Sequence, residues 1–256
     1  MPMIERKPGQ RVVLLTGASG GMGRGITARL AEDGWALALQ AHANAAKVTD
    51  MRDRLRAAGG DAHCYLADLS NEAAVGTLYE ELIRDHGRLD AVVSNHAIFP
   101  RSLVVDMTTE EWDRVLAVNL RSTFLLCRAA ARQFRLQGTG GRIVTVASGT
   151  ASRGQVLGAH YAASKAGIIA FTKSLAQELA TDRIIVNCVS PGTVLTAMPR
   201  QMNTDEEIID RARRLVPLGR IGQPEDIAEV VAFLLNDRLT WMTGQTIWVN
   251  GGDLML

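Results

Sequence analysis

Cysteine is scarce in this chain and badly spaced for joint work: Cys64, Cys127 and Cys188 stand far apart. They assemble neither a disulfide framework nor a metal-ligand set, and reduced thiols of this kind suit a cytoplasmic setting. Aromatic residues make up only 5% of 256 residues, and the net charge is +1. A basic nucleic-acid footprint and an acidic tail are therefore both missing. No apolar run approaches the ~18 residues of a membrane span, and residues 1–10 lack the apolar segment of a signal peptide. What is present is 47% hydrophobic and 21% charged, an ordinary globular composition able to fill a sizeable core. The length fits one large α/β domain or two small ones.

Short apolar runs at 12–16, 36–39, 63–67, 89–93, 143–146, 184–189 and 246–249 have the length of buried strands. Helical patterns separate them. One ends near Gly34, one covers 45–58, and one starts at an Asn71 cap and runs through Ile83. Thr108-Thr109-Glu110-Glu111 opens a long helix with Trp112, Val115, Leu116 and Leu120 on one face. Residues 161–179 and 224–235 are the next two, and 198–216 reads as irregular and partly helical. Strands alternating with helices through short connections predict an α/β fold: a single doubly wound parallel sheet with helices on both faces. In such sheets ligands lie beyond the carboxyl ends of the strands. Gly17, Asp68, Asn95, Ser148 and Pro191-Gly192 all fall there.

Two of these places carry chemistry. After the first strand comes Thr16-Gly17-Ala18-Ser19-Gly20-Gly21-Met22-Gly23 and then a helix. Glycines there let the backbone turn tightly and let a pyrophosphate approach the amides of the helix N-terminus. After the fifth strand comes Ser148, then a glycine-broken loop, then Tyr161 and Lys165 four residues apart, on one face of a helix. A free tyrosine has a pKa of about 10, and bringing it to about 7 takes roughly 4 kcal/mol. A unit charge about 4 Å away is worth about that much at an effective dielectric of about 20. The expectation is a general acid/base Tyr161, its pKa lowered by Lys165, with Ser148 hydrogen-bonding the reacting oxygen.

Thr16-Gly17-x3-Gly21-x-Gly23, Asp68, Ser94-Asn95-His96-Ala97, Asn119, Ser148, Tyr161-x3-Lys165 and Pro191-Gly192 together resemble the short-chain dehydrogenase/reductase family. The likeness covers about residues 10–252 and includes the thirteen-residue step from Ser148 to Tyr161. The resemblance implies one Rossmann-type dinucleotide-binding and catalytic domain over 1–256 and hydride transfer between a nicotinamide and a carbonyl or secondary alcohol. It makes Tyr161 the proton donor, Ser148 the partner of the carbonyl oxygen, Lys165 a ribose ligand and pKa tuner, and Asn119 the holder of a water linking Lys165 to solvent. It assigns cofactor contacts to Gly17, Ser19, Gly21, Met22 and Gly23 in the loop, to His42, to Asp68 and Leu69 at the adenine, and to Asn95 at the adenosine ribose. Tyr161 and Lys165 also join the cofactor contacts, and Pro191, Gly192, Val194 and Thr196 border the nicotinamide. No metal is implied. A homotetramer is, built on the helices containing Asn119 and Tyr161 and on the last strand; the sequence by itself offers only apolar helix faces such as Ile168, Phe171 and Leu175, which serve equally as core. Two positions depart from the family pattern: Ser94-Asn95-His96-Ala97 stands where members usually read Asn-Asn-Ala-Gly, and Asn250 stands where aspartate is frequent.

The second strand ends Leu39-Gln40-Ala41-His42, and no acid follows before Asp50. An acid there would grip both ribose hydroxyls and repel a 2′-phosphate, whereas His42 and Lys47 suit a phosphate, so NADP(H) is favoured over NAD(H). Residues 98–106 and 193–216 are the expected substrate walls. Phe99, Met198 and Met202 suggest an apolar, adaptable pocket, and no fixed charge stands out to grip an acid. Members acting on 3-oxoacyl groups, steroids, secondary alcohols and sugars share these motifs. The competing reading is a nucleotide-binding sensor or scaffold of the same fold that lost the chemistry. Such a protein has no need of Tyr161 and Lys165 together.

Overall fold

The computed structural model describes residues 9–198 and 204–256. The first apolar run is strand β1, Val12–Leu15, buried throughout. Val12 and Leu14 enter one core, and Val13 and Leu15 enter another on the opposite face. A strand covered on both faces has no side to give to water, so it reads as a continuous apolar run.

Six more strands join it among the described residues: β2 Ala36–Ala41, β3 Ala62–Leu66, β4 Ala91–Ser94, β5 Gly141–Val146, β6 Ile184–Pro191 and β7 Thr246–Val249. Every pairing is parallel, and the order is β3-β2-β1-β4-β5-β6-β7. The α-helices are α1 Gly21–Glu32, α2 Ala45–Ala57, α3 Glu72–His86, α4 Thr109–Leu116, α5 Ser122–Gln137, α6 Thr150–Arg153, α7 Ala159–Leu179, α8 Asp205–Leu215 and α9 Pro224–Leu234. Ile26 and Leu30 of α1, Val48 of α2 and Ile227 and Val231 of α9 fill the core on one face. Leu78 and Leu82 of α3, Leu126 and Phe134 of α5 and Leu175 and Leu179 of α7 fill the other. This is the doubly wound, Rossmann-type sheet expected. Among the described residues no helix is long and apolar enough to cross a membrane.

The strand order reverses between β1 and β4, which opens a crevice at their carboxyl ends. Gly17, Asn95, Ser148 and Pro191 follow or close β1, β4, β5 and β6 and so stand along that one edge. Asn71 caps α3 as expected, its side chain accepting from the Ala74 amide at 3.2 Å.

The long helix opened by Thr108 is not continuous. After α4 the turn Ala117–Arg121 widens into a π-helix before α5 carries on. The Ser122 and Thr123 hydroxyls donate to the carbonyls of Val118 and Asn119, competing with backbone amides for those acceptors. Such widened turns recur at functional sites, and this one holds Asn119. The short helix α6 was not expected, since four residues are too few for an apolar period to register. Of the segment 198–216, expected to be irregular and partly helical, Asp205–Leu215 form α8, closed at its start by a reciprocal Thr204–Glu207 cap. Met202 lies outside the described residues.

Candidate active site

The nucleotide end of the crevice is made mostly of backbone. Gly17 has φ +62°, a left-handed conformation that favours glycine. A Cβ on Gly23 would stand 2.3 Å from the Gly17 carbonyl oxygen, and one on Gly21 would stand 2.6 Å from Thr196 Cγ2. Gly20, at the N-cap of α1, offers no side-chain cap, which leaves first-turn amides for an anion. Gln40 is buried and braces the loop, its Oε1 accepting from the Gly17 amide at 3.2 Å and its Nε2 donating to the Ala67 carbonyl at 2.8 Å. Asn95 donates from Nδ2 to the Thr16 and Gly17 carbonyls, while its buried Oδ1 has no partner. Space that only glycine leaves, free helix amides and an orphaned acceptor fit a dinucleotide.

Ser19 and Met22 lie half-buried on the same loop, and Met22 also reaches the cavity described below. Asp68 is exposed, and hydrogen bonds from the Ser70 hydroxyl and amide hold its carboxyl below the usual range. Leu69 is buried in the core. His42 is exposed and close enough for its charge to act on Asp68. Ala41 turns into the core beside Leu39. At the opposite end Pro191 accepts from the Gly149 amide at 2.9 Å, and a Cβ on Gly192 would meet Asn250 Cβ at 2.8 Å. Val194 and Thr196 share the cavity wall with both.

Ser148, Tyr161 and Lys165, the residues expected to do the chemistry, come near one another, although not with the electrostatics expected of them. Tyr161 is 6% exposed and Lys165 2%. Lys165 Nζ donates to the Val146 carbonyl at 2.7 Å and lies 5.7 Å from the centre of the Tyr161 ring. Burial pushes the phenol up to about 12, against smaller downward pulls from a Ser148 hydrogen bond and the Arg101 charge. Burial also pushes Lys165 down to about 8. The expectation that Lys165 brings Tyr161 towards neutrality is therefore corrected. The ammonium is directed at a backbone carbonyl rather than the phenol, and desolvation disfavours the charged form of both groups. Asn119 is fully buried. It accepts from the Ile98 amide at 2.9 Å and donates to the Ile98 carbonyl at 3.0 Å and to Ser164 Oγ at 3.1 Å. Its side chain thus clamps the loop that carries Phe99.

The two histidines near the crevice are structural. Ser122 gives its own proton to Val118, so it accepts from His96 Nε2 at 2.5 Å, while Thr16 Oγ1 meets His96 Nδ1 at 2.8 Å. Burial and the Lys165 charge hold that ring neutral, its pKa pushed down to about 3. His96 occupies its departure from the family pattern as an uncharged tie between the phosphate loop and α5. His160 accepts from the Tyr161 amide at 2.8 Å and pairs with Glu111 at 3.1 Å, fixing the start of α7.

Beside Tyr161 opens a cavity of about 240 Å³ lined by Phe99, Met198 and Ser148, among others. Its apolar part is as expected, but its charges are not: Arg101, Arg153 and Arg211 all reach it. They come from a loop, a four-residue helix and a helix 58 positions further on, so no spacing brings them together in the sequence. Gln40, by contrast, carried a signal: a lone polar residue inside an apolar strand. Of the proposed oligomer faces, Ile168 and Leu175 belong to the core, and only Phe171 is part-exposed, against Phe124 of α5. Among the described residues no group of three or more side chains could hold a metal ion.

Comparison with known proteins bears on the family of the chain. A family model described as "Enoyl-(Acyl carrier protein) reductase" matches residues 17–253. A short-chain dehydrogenase/reductase of Armillaria gallica is 40% identical over 249 residues, covering 94% of this chain and 95% of the relative. The short-chain dehydrogenase/reductase eriH of Hericium erinaceus is 38% identical over 246 residues, 95% and 97% of the two chains. A 3-oxoacyl-[acyl-carrier-protein] reductase FabG of Staphylococcus aureus is 36% identical over 242 residues, 94% and 97% of the two chains.

Proposed function

The chain belongs to the short-chain dehydrogenase/reductase family of NAD(P)-dependent oxidoreductases, and from that premise we propose that it reduces a small carbonyl compound, with Tyr161 as the general acid. The observation that carries this reading is the Ser148–Tyr161 pair: a buried phenol and a serine hydroxyl on the wall of one cavity, which also reaches the proposed nicotinamide border. The bound cofactor supplies the hydride. Ser148 Oγ and the phenol hold the carbonyl oxygen between them, and the phenol gives its proton to that oxygen as charge develops. A phenol near 12 stays protonated across neutral pH, which suits the reductive direction. Lys165, with donors to spare beyond the bond to Val146, holds the ribose. Asn119 keeps the Ile98 loop in place and with it the phenyl ring packed on Tyr161.

The rest of the reading follows from the same residues. One domain spans 1–256, with the substrate loop at about 193–216. Gly17, Ser19, Gly21, Met22 and Gly23 hold the pyrophosphate. Asp68, Leu69 and Asn95 take the adenosine, while Pro191, Gly192, Val194 and Thr196 border the nicotinamide. NADP(H) is favoured, since exposed His42 and Lys47 follow β2 and no acid does. Association through α5 and α7 into a homotetramer completes the reading, with the part-exposed Phe124–Phe171 pair, 6.2 Å apart, as the apolar patch available on those helices, and the cytoplasm as its setting. Turnover of a panel of ketones and secondary alcohols with each nicotinamide tests the whole reading. Oxidation of NADPH by at least one ketone, with kcat/KM above that for NADH, is expected. A higher kcat/KM with NADH would overturn the cofactor preference, and no turnover with either would overturn the reductase.

A further inference from the structure

The cavity beside Tyr161 is charged unevenly. Arg153 is neutralised by Asp253, Nη1 to Oδ2 at 2.6 Å. Glu207 turns its carboxylate back onto Thr204, accepting from the amide at 2.8 Å and the hydroxyl at 3.1 Å. Among the described residues Arg101 and Arg211 have no carboxylate partner, although both reach the cavity. Arg101 is the nearer to the chemistry. Its Cζ stands 4.1 Å from the centre of the Phe99 ring, and that ring stacks on Tyr161 at 4.1 Å and 17°. Its Nε–H is enclosed and lacks an acceptor. A buried donor left unpaired is costly, and a guanidinium at the end of a short aromatic stack has the planar fork that a carboxylate matches with two parallel hydrogen bonds.

We propose that the substrate is a short oxo acid whose carboxylate is bound by Arg101, with its carbon chain along Phe99 and its carbonyl at Ser148 and Tyr161. The two ring-stacking steps set the reach, so the carboxylate and the carbonyl stand a few bonds apart. In the reaction a hydride from the reduced nicotinamide adds to the carbonyl carbon and the Tyr161 proton to its oxygen, leaving a hydroxy acid and the oxidised nicotinamide. Arg211 adds positive charge at the rim of the same cavity. This proposal rests on the reductase reading above.

The test compares levulinate with methyl levulinate, which differ in charge at nearly constant shape. Equilibrium binding to the NADPH-loaded enzyme by calorimetry and kcat/KM are both measured. The wild-type enzyme should favour the acid over the ester by on the order of 10- to 100-fold. Arg101→Gln should bring that ratio close to one, and Arg101→Lys should restore part of it. Because the ratio is internal to each variant, a general loss of activity or packing cancels. A wild-type binding ratio near one, or a ratio unmoved in Arg101→Gln, overturns the proposal. Arg101-dependent binding of levulinate without turnover of either compound upholds the anion site while overturning the reductase reading.

Discussion

The two ends of the crevice are built on opposite terms. At the nucleotide end most polar groups answer one another: Gln40, Thr16, Asn95 Nδ2 and His96 hydrogen-bond around glycines that no side chain could replace, and Asn95 Oδ1 alone of these is left without a partner. At the substrate end titratable groups are buried against their preference, with Tyr161 raised, Lys165 lowered and Arg101 short of an acceptor. The first end is largely satisfied as it stands and recognises by shape, with one orphaned acceptor and the first-turn amides left for a ligand. The second holds unmet electrostatic demand that a substrate can satisfy. Stability is conceded where chemistry is done.

Lys165 stands where the two ends meet, so Lys165→Ala should break the distinction most severely. Loss of ribose binding, and with it of the placement of the nicotinamide, should lower kcat/KM by on the order of 10³-fold or more, with cofactor affinity falling as well as rate. Lys165→Met sharpens the comparison from the stability side. The folded pKa, about 8, lies below the ordinary 10.5, so between these values the unfolded chain binds a proton that the folded chain has released. Stability from this group therefore rises with pH across that window, and the full cost, about 3 kcal/mol, applies below it. Thermal melts should find wild type gaining on Lys165→Met as pH rises from about 8 to about 10, and parallel curves would contradict the shift.

Gly23→Ala isolates the nucleotide end. Its methyl group would enter the Gly17 carbonyl, at a cost of about 1–3 kcal/mol. Titration should register this as weaker NADPH binding, with rate at saturating cofactor far less affected. The smallest effect belongs to His96→Asn. His96 sits at about 3 against an ordinary 6.5, so the unfolded chain takes up the proton first and stability falls as pH drops below 6.5. By about pH 5.5 wild type should have lost roughly 1 kcal/mol that the variant does not lose, as measured by denaturant unfolding.

How much of this was legible in the sequence follows the same division. Strand and helix order could be read because Val12–Leu15 and its counterparts feed two cores and leave unmistakable apolar runs. The glycine spacing from Gly17 to Gly23 could be read because backbone sites need particular residues at particular steps. The meeting of Ser148, Tyr161 and Lys165 was legible from one strand end and one helical turn. Their electrostatics were not, since the direction of Lys165 Nζ towards Val146 depends on packing between β5 and α7. Nor was the widened turn at Asn119, which hydroxyl–carbonyl competition produces. Arg101 and Arg211 fall inside the expected substrate walls and Arg153 stands close to Ser148, but their meeting as one charged lining was not legible, because three segments remote in sequence supply them.

The account stands most directly on Tyr161→Phe, assayed for NADPH affinity by fluorescence titration and for NADPH oxidation in a single turnover on the same sample. Binding within about twofold of wild type and a rate lower by on the order of 10²- to 10⁴-fold is the predicted result. A variant that oxidises NADPH at the wild-type rate, or one whose rate falls only as far as its cofactor affinity does, would contradict it.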